Sequence, residues 1–215
     1  MSFTLRRAGL AALAAMVAAA FVVAIGGQAE ADGHLPTRTY RVTVENLTEI
    51  QLLTPAVVAT HSLNQSVFRS GQKASNGIQQ LAENGGVPVL AAELEAAGLS
   101  DVQVAGAAPI EPGEKAEVLI TAEPGAWRLS AAAMLICTND GFGGVRKLTL
   151  PHTFGEVRAV YGVAYDAGTE KNTEKYEDLV PPCDGMGETG ESNPELAQNG
   201  VVRRHRNIKG HGDLT

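Results

Sequence analysis

Basic residues are in short supply in this chain: 17 Lys and Arg stand against 24 Asp and Glu, for a formal net charge of −7. That balance argues against nucleic acid or anionic lipid as the main partner, because both select clustered positive charge. Cysteine is nearly absent, with two residues. Together with the wide spacing of the five histidines, this leaves no zinc cluster. No apolar run after residue 25 is long enough to cross a bilayer. No internal repeat, phosphate-binding Gly-rich loop, Gly-x-Ser-x-Gly elbow or EF-hand loop occurs. His34, His61, His152, His205 and His211 stand in no recognisable pairing with a serine or cysteine nucleophile.

What is present suits one globular domain. The chain has 215 residues, of which 44% are apolar, enough for a sizeable core. Its first 31 residues read as an export signal. Arg6 and Arg7 form a basic start, 10–25 is an unbroken apolar run, and Ala29-Glu30-Ala31 gives the small-x-small pattern of a cleavage point. At 16 residues the run is short for a membrane anchor. Losing Arg6, Arg7 and Glu30 makes the remainder one unit more acidic than the whole chain's −7. Residues 32–38 are then a short polar leader, and 39–215 are one domain. An even cysteine count in an exported chain predicts a Cys137–Cys183 disulfide. A loop of that length would stabilise by about 4 kcal/mol in the chain-entropy model.

Period-two alternation dominates the domain and predicts an all-β fold. Over 39–47, Tyr40, Val42 and Val44 share one face. Further strands are expected at 56–61, 101–106, 115–122, 127–137, 145–150 and 156–165. In 127–137 one face carries Trp127, Leu129, Ala131, Ala133 and Leu135, and the other ends in Met134 and Ile136. A strand apolar on both faces belongs at the centre of its sheet. Glycines 141, 143 and 144 are expected to let the backbone bend sharply after it. A helical insertion at about 72–98 interrupts the strands. Ile78 and Leu81 lie one turn apart, Gly85-Gly86 stops the first helix, and Pro88 starts a second with Leu90, Leu94 and Ala97 on one stripe. Both helices should cover the rim of the sheets. Residues 184–198, rich in Gly, Glu, Ser and Asn, read as a long loop.

Two segments carry clustered acids beside likely turns: Thr138-Asn139-Asp140 and Tyr165-Asp166-Ala167-Gly168-Thr169-Glu170. Asp166 and Glu170 flank a glycine turn that would aim both at one point, and Asp140 would arrive from another loop. Oxygen donors with no Lys or Arg within either segment suit a hard cation such as calcium. Spacing alone leaves open the plainer reading of solvated acidic turns.

These same elements, with Thr60-His61 and Thr138-Asn139-Asp140-Gly141-Phe142, resemble the spondin domain over about 39–213. The resemblance implies an antiparallel β-sandwich similar to C2 domains with a calcium ion at one end, its ligands falling on Asp140, Asp166 and Glu170. The family often has Asp where this chain has Glu170. A closing Val-x-x-His…Ile…Gly-x-Gly-Asp run is also similar. Members often continue into one more strand, so the 203–208 stretch is expected to serve as an edge unless that edge is missing.

The function expected is that of an exported, periplasmic or extracellular, non-enzymatic calcium-binding domain. It would contact an unidentified protein or a surface or matrix partner through loops ordered by the ion. No nucleic acid is expected as a partner, and no integral membrane segment after signal cleavage. The alternatives are an exported hydrolase using His61, Asp140 and an unidentified serine, and a metal-handling site at His205 and His211. His61 itself is expected to be a hydrogen-bonded residue near the sandwich rim.

Overall fold

The structure is a computed structural model. It describes residues 36–180, 183 and 193–214, and the backbone placement of 19–26. The basic start and cleavage point of the expected signal, and 184–192 of the expected loop, lie outside the described residues.

In chain order the strands are β1 (Ala19–Gly26), β2 (Arg38–Asn46), β3 (Ala56–His61), β4 (Asp101–Ala105), β5 (Lys115–Ala122), β6 (Arg128–Met134), β7 (Gly141–Thr149), β8 (Val157–Tyr161), β9 (Val163–Asp166) and β10 (Arg203–Arg204). Two helices, α1 (Asn76–Asn84) and α2 (Val87–Ala96), lie between β3 and β4. A four-stranded sheet runs β5-β2-β1-β8 and a six-stranded sheet runs β10-β9-β7-β6-β3-β4. All pairings are antiparallel. The chain is therefore an antiparallel β-sandwich with a short helical insertion. Among the described residues no helix is long and apolar enough to cross a membrane.

Alternation builds the core between the sheets. Tyr40, Val42 and Val44 of β2 and Ile120 of β5 meet Val58 of β3 and Leu129, Ala131 and Ala133 of β6. The six-stranded sheet is apolar on its other face as well, which is why β3 is buried along its whole length and β6 lies inside the sheet, between β3 and β7. That outer face carries Val57, Ala59, Ala132, Met134 and Phe142, covered by Ile78 and Leu81 of α1 and Leu90 and Leu94 of α2. The helices thus lie over a sheet face, not over the rim as expected, because a central strand with two apolar faces needs a layer on each side. Ala97 is exposed and takes no part in the stripe. Helix α1 starts at Ser75, whose hydroxyl accepts the Ile78 N–H at 3.2 Å, and stops at Gly85 with φ 64°. Both are standard terminal devices.

Two further expectations are corrected. The glycines after Asp140 do not bend the chain; they begin β7. The ring of Phe68 lies where a Gly144 side chain would project, and a Cβ there would stand 2.7 Å from Phe68 Cε1 and Cζ. Phe68 packs edge-on against Phe142 and Tyr165, at centroid distances of 4.9 and 4.8 Å. The 156–165 stretch is also not one run within one sheet. It breaks at Gly162, so that β8 pairs in the four-stranded sheet and β9 in the six-stranded one.

Gly144→Ala should destabilise the fold by about 1–3 kcal/mol, the usual range for overpacking. Urea denaturation will show this as a lowered midpoint. Combined with Phe68→Leu, the loss should be less than additive, since the two positions share one volume.

Candidate metal centre at the sandwich rim

Two loops converge at one end of the six-stranded sheet, and backbone geometry delivers the three acids. After β6 the chain turns tightly. The Thr138 hydroxyl donates to the Leu135 carbonyl at 2.7 Å and accepts the Gly141 N–H at 2.9 Å. The turn holds Asp140 fully buried. β9 then places Asp166 opposite Gly141. Gly168, with φ +73°, allows the following turn; a side chain there would run into the Val201 backbone at 2.6 Å.

The structure brings Asp140, Asp166 and Glu170 into one neighbourhood, and each is nearly or wholly excluded from solvent. Their roles differ. Asp140 Oδ2 accepts the N–H groups of Thr169 at 2.8 Å and Glu170 at 3.1 Å. The Asp140 carbonyl accepts the Ala167 N–H at 3.0 Å. Asp140 Oδ1 is buried with no hydrogen-bond partner. Glu170 Oε1 accepts the Asn193 N–H at 3.2 Å. Asp166 is fully engaged: Oδ1 accepts the Gly168 N–H at 2.8 Å, and Oδ2 accepts from Asn172 Nδ2 at 2.9 Å and Arg203 Nη2 at 3.1 Å. The expectation that no basic side chain adjoins these acids is therefore corrected. Arg203 arrives because β10 pairs with β9, with Arg203 opposite Asp166. Among the described residues, no group of three His, Cys, Asp or Glu side chains is arranged to hold a metal ion.

The charge balance at this end is strained. Burial, then the Asp166 charge, raises the Asp140 carboxyl from an ordinary 3.8 to about 6, against the N–H bonds from Glu170 and Thr169. Burial, then Glu83, raises Glu170 from 4.5 to about 8, with Asp140 and Asp178 adding to it. Glu83, on α1, is a participant that pattern reading missed. It is buried, with Oε1 accepting from Gln79 Nε2 at 3.0 Å. Its one sequence signal was an acid in the last turn of a helix, where the dipole disfavours negative charge.

Neighbouring groups tie the loops down. Asn139 Oδ1 accepts the Thr173 N–H at 3.2 Å, and its Nδ2 donates to the Asp178 carbonyl at 3.3 Å. The predicted Cys137–Cys183 disulfide forms, joining the turn before Asp140 to the tail. Glu174, also unforeseen, accepts the N–H groups of Lys209 at 2.6 Å and His211 at 2.7 Å. It thereby anchors the closing loop.

The other candidate sites take simpler forms. His61 is fully buried. Its Nδ1 meets the Ser62 carbonyl and its Nε2 meets Ser130 Oγ, both at 2.8 Å. A carbonyl can only accept, so Nδ1 carries the proton and Ser130 donates to Nε2. Ser130 Oγ accepts the Lys147 N–H at 3.0 Å, where β7 bulges against β6 between Leu129 and Ala131. Burial holds His61 below the usual histidine range. The histidine of the hydrolase alternative is therefore held in a buried, satisfied pair with Ser130 beside a bulge, with the Ser62 carbonyl at its Nδ1. His205 Nδ1 accepts the Asn207 N–H at 3.1 Å, and the His211 backbone binds Glu174.

The sequence model of the Spondin_N family matches residues 47–180. No curated protein matches the chain.

The raised carboxyls fix the sign of a pH dependence. Below about pH 4 the folded and unfolded chains are both protonated at these positions. From there to about pH 8 the folded state keeps protons that the unfolded state has lost, so stability falls as pH rises. In chelator-treated protein, melting temperature should decline across this window. Glu170→Gln should remove most of the decline above pH 6.

Proposed function

Since the chain belongs to the spondin N-terminal domain family, a family of extracellular, matrix-type domains, we propose that it is an exported, non-enzymatic domain that binds calcium at its acidic rim. The ordered rim loops would contact a protein, surface or matrix partner. One observation carries the calcium reading: Asp140 Oδ1 is buried and unpartnered among other acids. An orphaned carboxylate oxygen in a site that otherwise retains protons is the donor a hard cation would take.

The residues fit such an ion unequally. Asp140 has a free oxygen, and Glu170 keeps one oxygen clear of the Asn193 bond. Glu83 adds negative charge to both. Asp166 completes the set implied by the family resemblance, but Arg203 and Asn172 hold its Oδ2, so its share in an ion requires Arg203 to yield. A bound divalent cation supplies positive charge where protons now balance the acids. The protein's own part is to hold the 138–140 and 166–170 loops in contact through the Asp140 backbone and side chain.

Calcium at a hundredfold excess over Kd should stabilise by about 2.7 kcal/mol. Its effect on melting temperature should be larger at pH 8 than at pH 5, where protons compete for the same oxygens. Asp140→Asn should abolish the response. Melting curves that are identical with calcium and with chelator at pH 8 would reject the site.

A further inference from the structure

Strand β1 occupies a central place in the four-stranded sheet, yet its residues end the apolar run that reads as an export signal. It pairs with β2 from Ala19↔Asn46 to Gly26↔Thr39 and with β8 from Ala20↔Tyr161 to Ala24↔Val157. β2 and β8 thus run parallel to each other, one strand apart, and do not pair directly. Cleavage after Ala31 takes away the strand between them. We propose that processing after Ala31 opens this strand position, and that the exported domain fills it with an extended, uncharged, apolar strand donated by another polypeptide.

The chemistry of the occupant follows from the walls. The position exposes two rows of backbone N–H and C=O groups, which an added strand satisfies. Cross-strand neighbours share a face. Any occupant residue opposite Tyr40, Val42 or Val44 therefore meets the core between the sheets, where those three are fully buried. Alternate positions must be apolar. Residues opposite Arg41 and Thr43 fall on the other face, where Arg41 has a largely exposed side chain, so polar groups are tolerated there.

The flanking charges call for a neutral strand, because each already has a partner. Arg41 lies 3.8 Å from Glu117, Lys115 lies 3.3 Å from Glu45, and Arg158 lies 2.9 Å from Glu156. Arg158 Nη1 also donates to the Thr149 carbonyl at 3.0 Å. Among the described residues every other strand is committed to its own sheet, so a second mature copy has no apolar strand to lend. The donor is a different chain.

The test uses the full chain, exported and processed by cells, with its N-terminus read by intact mass. A synthetic peptide of residues 19–26, flanked by lysines for solubility, is the probe, together with Val22→Lys, Val23→Lys and Val23→Pro versions. Val22 falls opposite Thr43 and Val23 opposite Val42. The expected result is an N-terminus at Asp32. The parent and Val22→Lys peptides should bind and raise the melting temperature. Both Val23 versions should bind at least about tenfold more weakly, since one buries a charge and the other removes a ladder donor. If the processed chain does not survive alone, refolding with each peptide gives the second reading: the Val22→Lys peptide should recover soluble, disulfide-linked monomer and the Val23→Lys peptide should not. The proposal is overturned if the exported protein retains residues 19–26. It is equally overturned if no peptide acts, if the Val22 and Val23 versions act alike, or if the mature chain is a dimer that peptide leaves intact. All arms run with and without chelator, so the outcome is separate from the calcium reading.

Discussion

Asp140 accepts two backbone N–H groups through one carboxylate oxygen and a third through its carbonyl, so that one buried residue holds residues 167–170 in place. The rest of the rim depends on that anchoring. Gly168 approaches the 200–201 backbone because the loop is held there, with the Gly200 N–H reaching the Gly168 carbonyl at 2.8 Å. Asp166, at the end of β9 where this loop begins, meets Arg203 through the pairing of β10 with β9. The cost is electrostatic. The second Asp140 oxygen is left buried and unmatched beside other acids, which is stable only when a proton or a cation takes up the negative charge.

The sandwich was legible because its cause is local. Alternation at Tyr40, Val42 and Val44 survives any tertiary arrangement, and the two apolar faces of 127–137 required a central strand with a layer on each side. The cysteine pair was legible for a different reason: two thiols in an exported chain have few alternatives. The acids at 140, 166 and 170 were legible as neighbours through their turns and their likeness to spondin domains. Arg203 was not, because its approach to Asp166 is set by pairing between β9 and a two-residue strand almost 40 positions away. Glu83 escaped because a helical stripe reveals apolar residues and says nothing about a buried acid beside them. The glycines at 141, 143 and 144 were misread because a bend and a strand with close packing leave the same trace in sequence; Gly144 faces the Phe68 ring and Gly141 the Thr138 side chain.

The apolar run near the N-terminus had two meanings, and sequence reading supplies only one. A stretch of small and β-branched residues without charge suits both an export signal and a central strand. In the folded chain its second half lies in the four-stranded sheet. The domain therefore presents two separate ends of interest, an acidic rim on the six-stranded sheet and a strand position in the sheet facing it.

One short stretch of backbone joins those two ends directly. Between Tyr161, at the end of β8, and Asp166, at the end of β9, the chain changes sheets at Gly162 and covers five residues, a contour of roughly 17 Å. Neither sheet can slide along the other without dragging this connector. A pull along β8 would be delivered as tension on the turn that carries the rim carboxylates, so the fold contains a short mechanical tether between its open-faced layer and its charged margin.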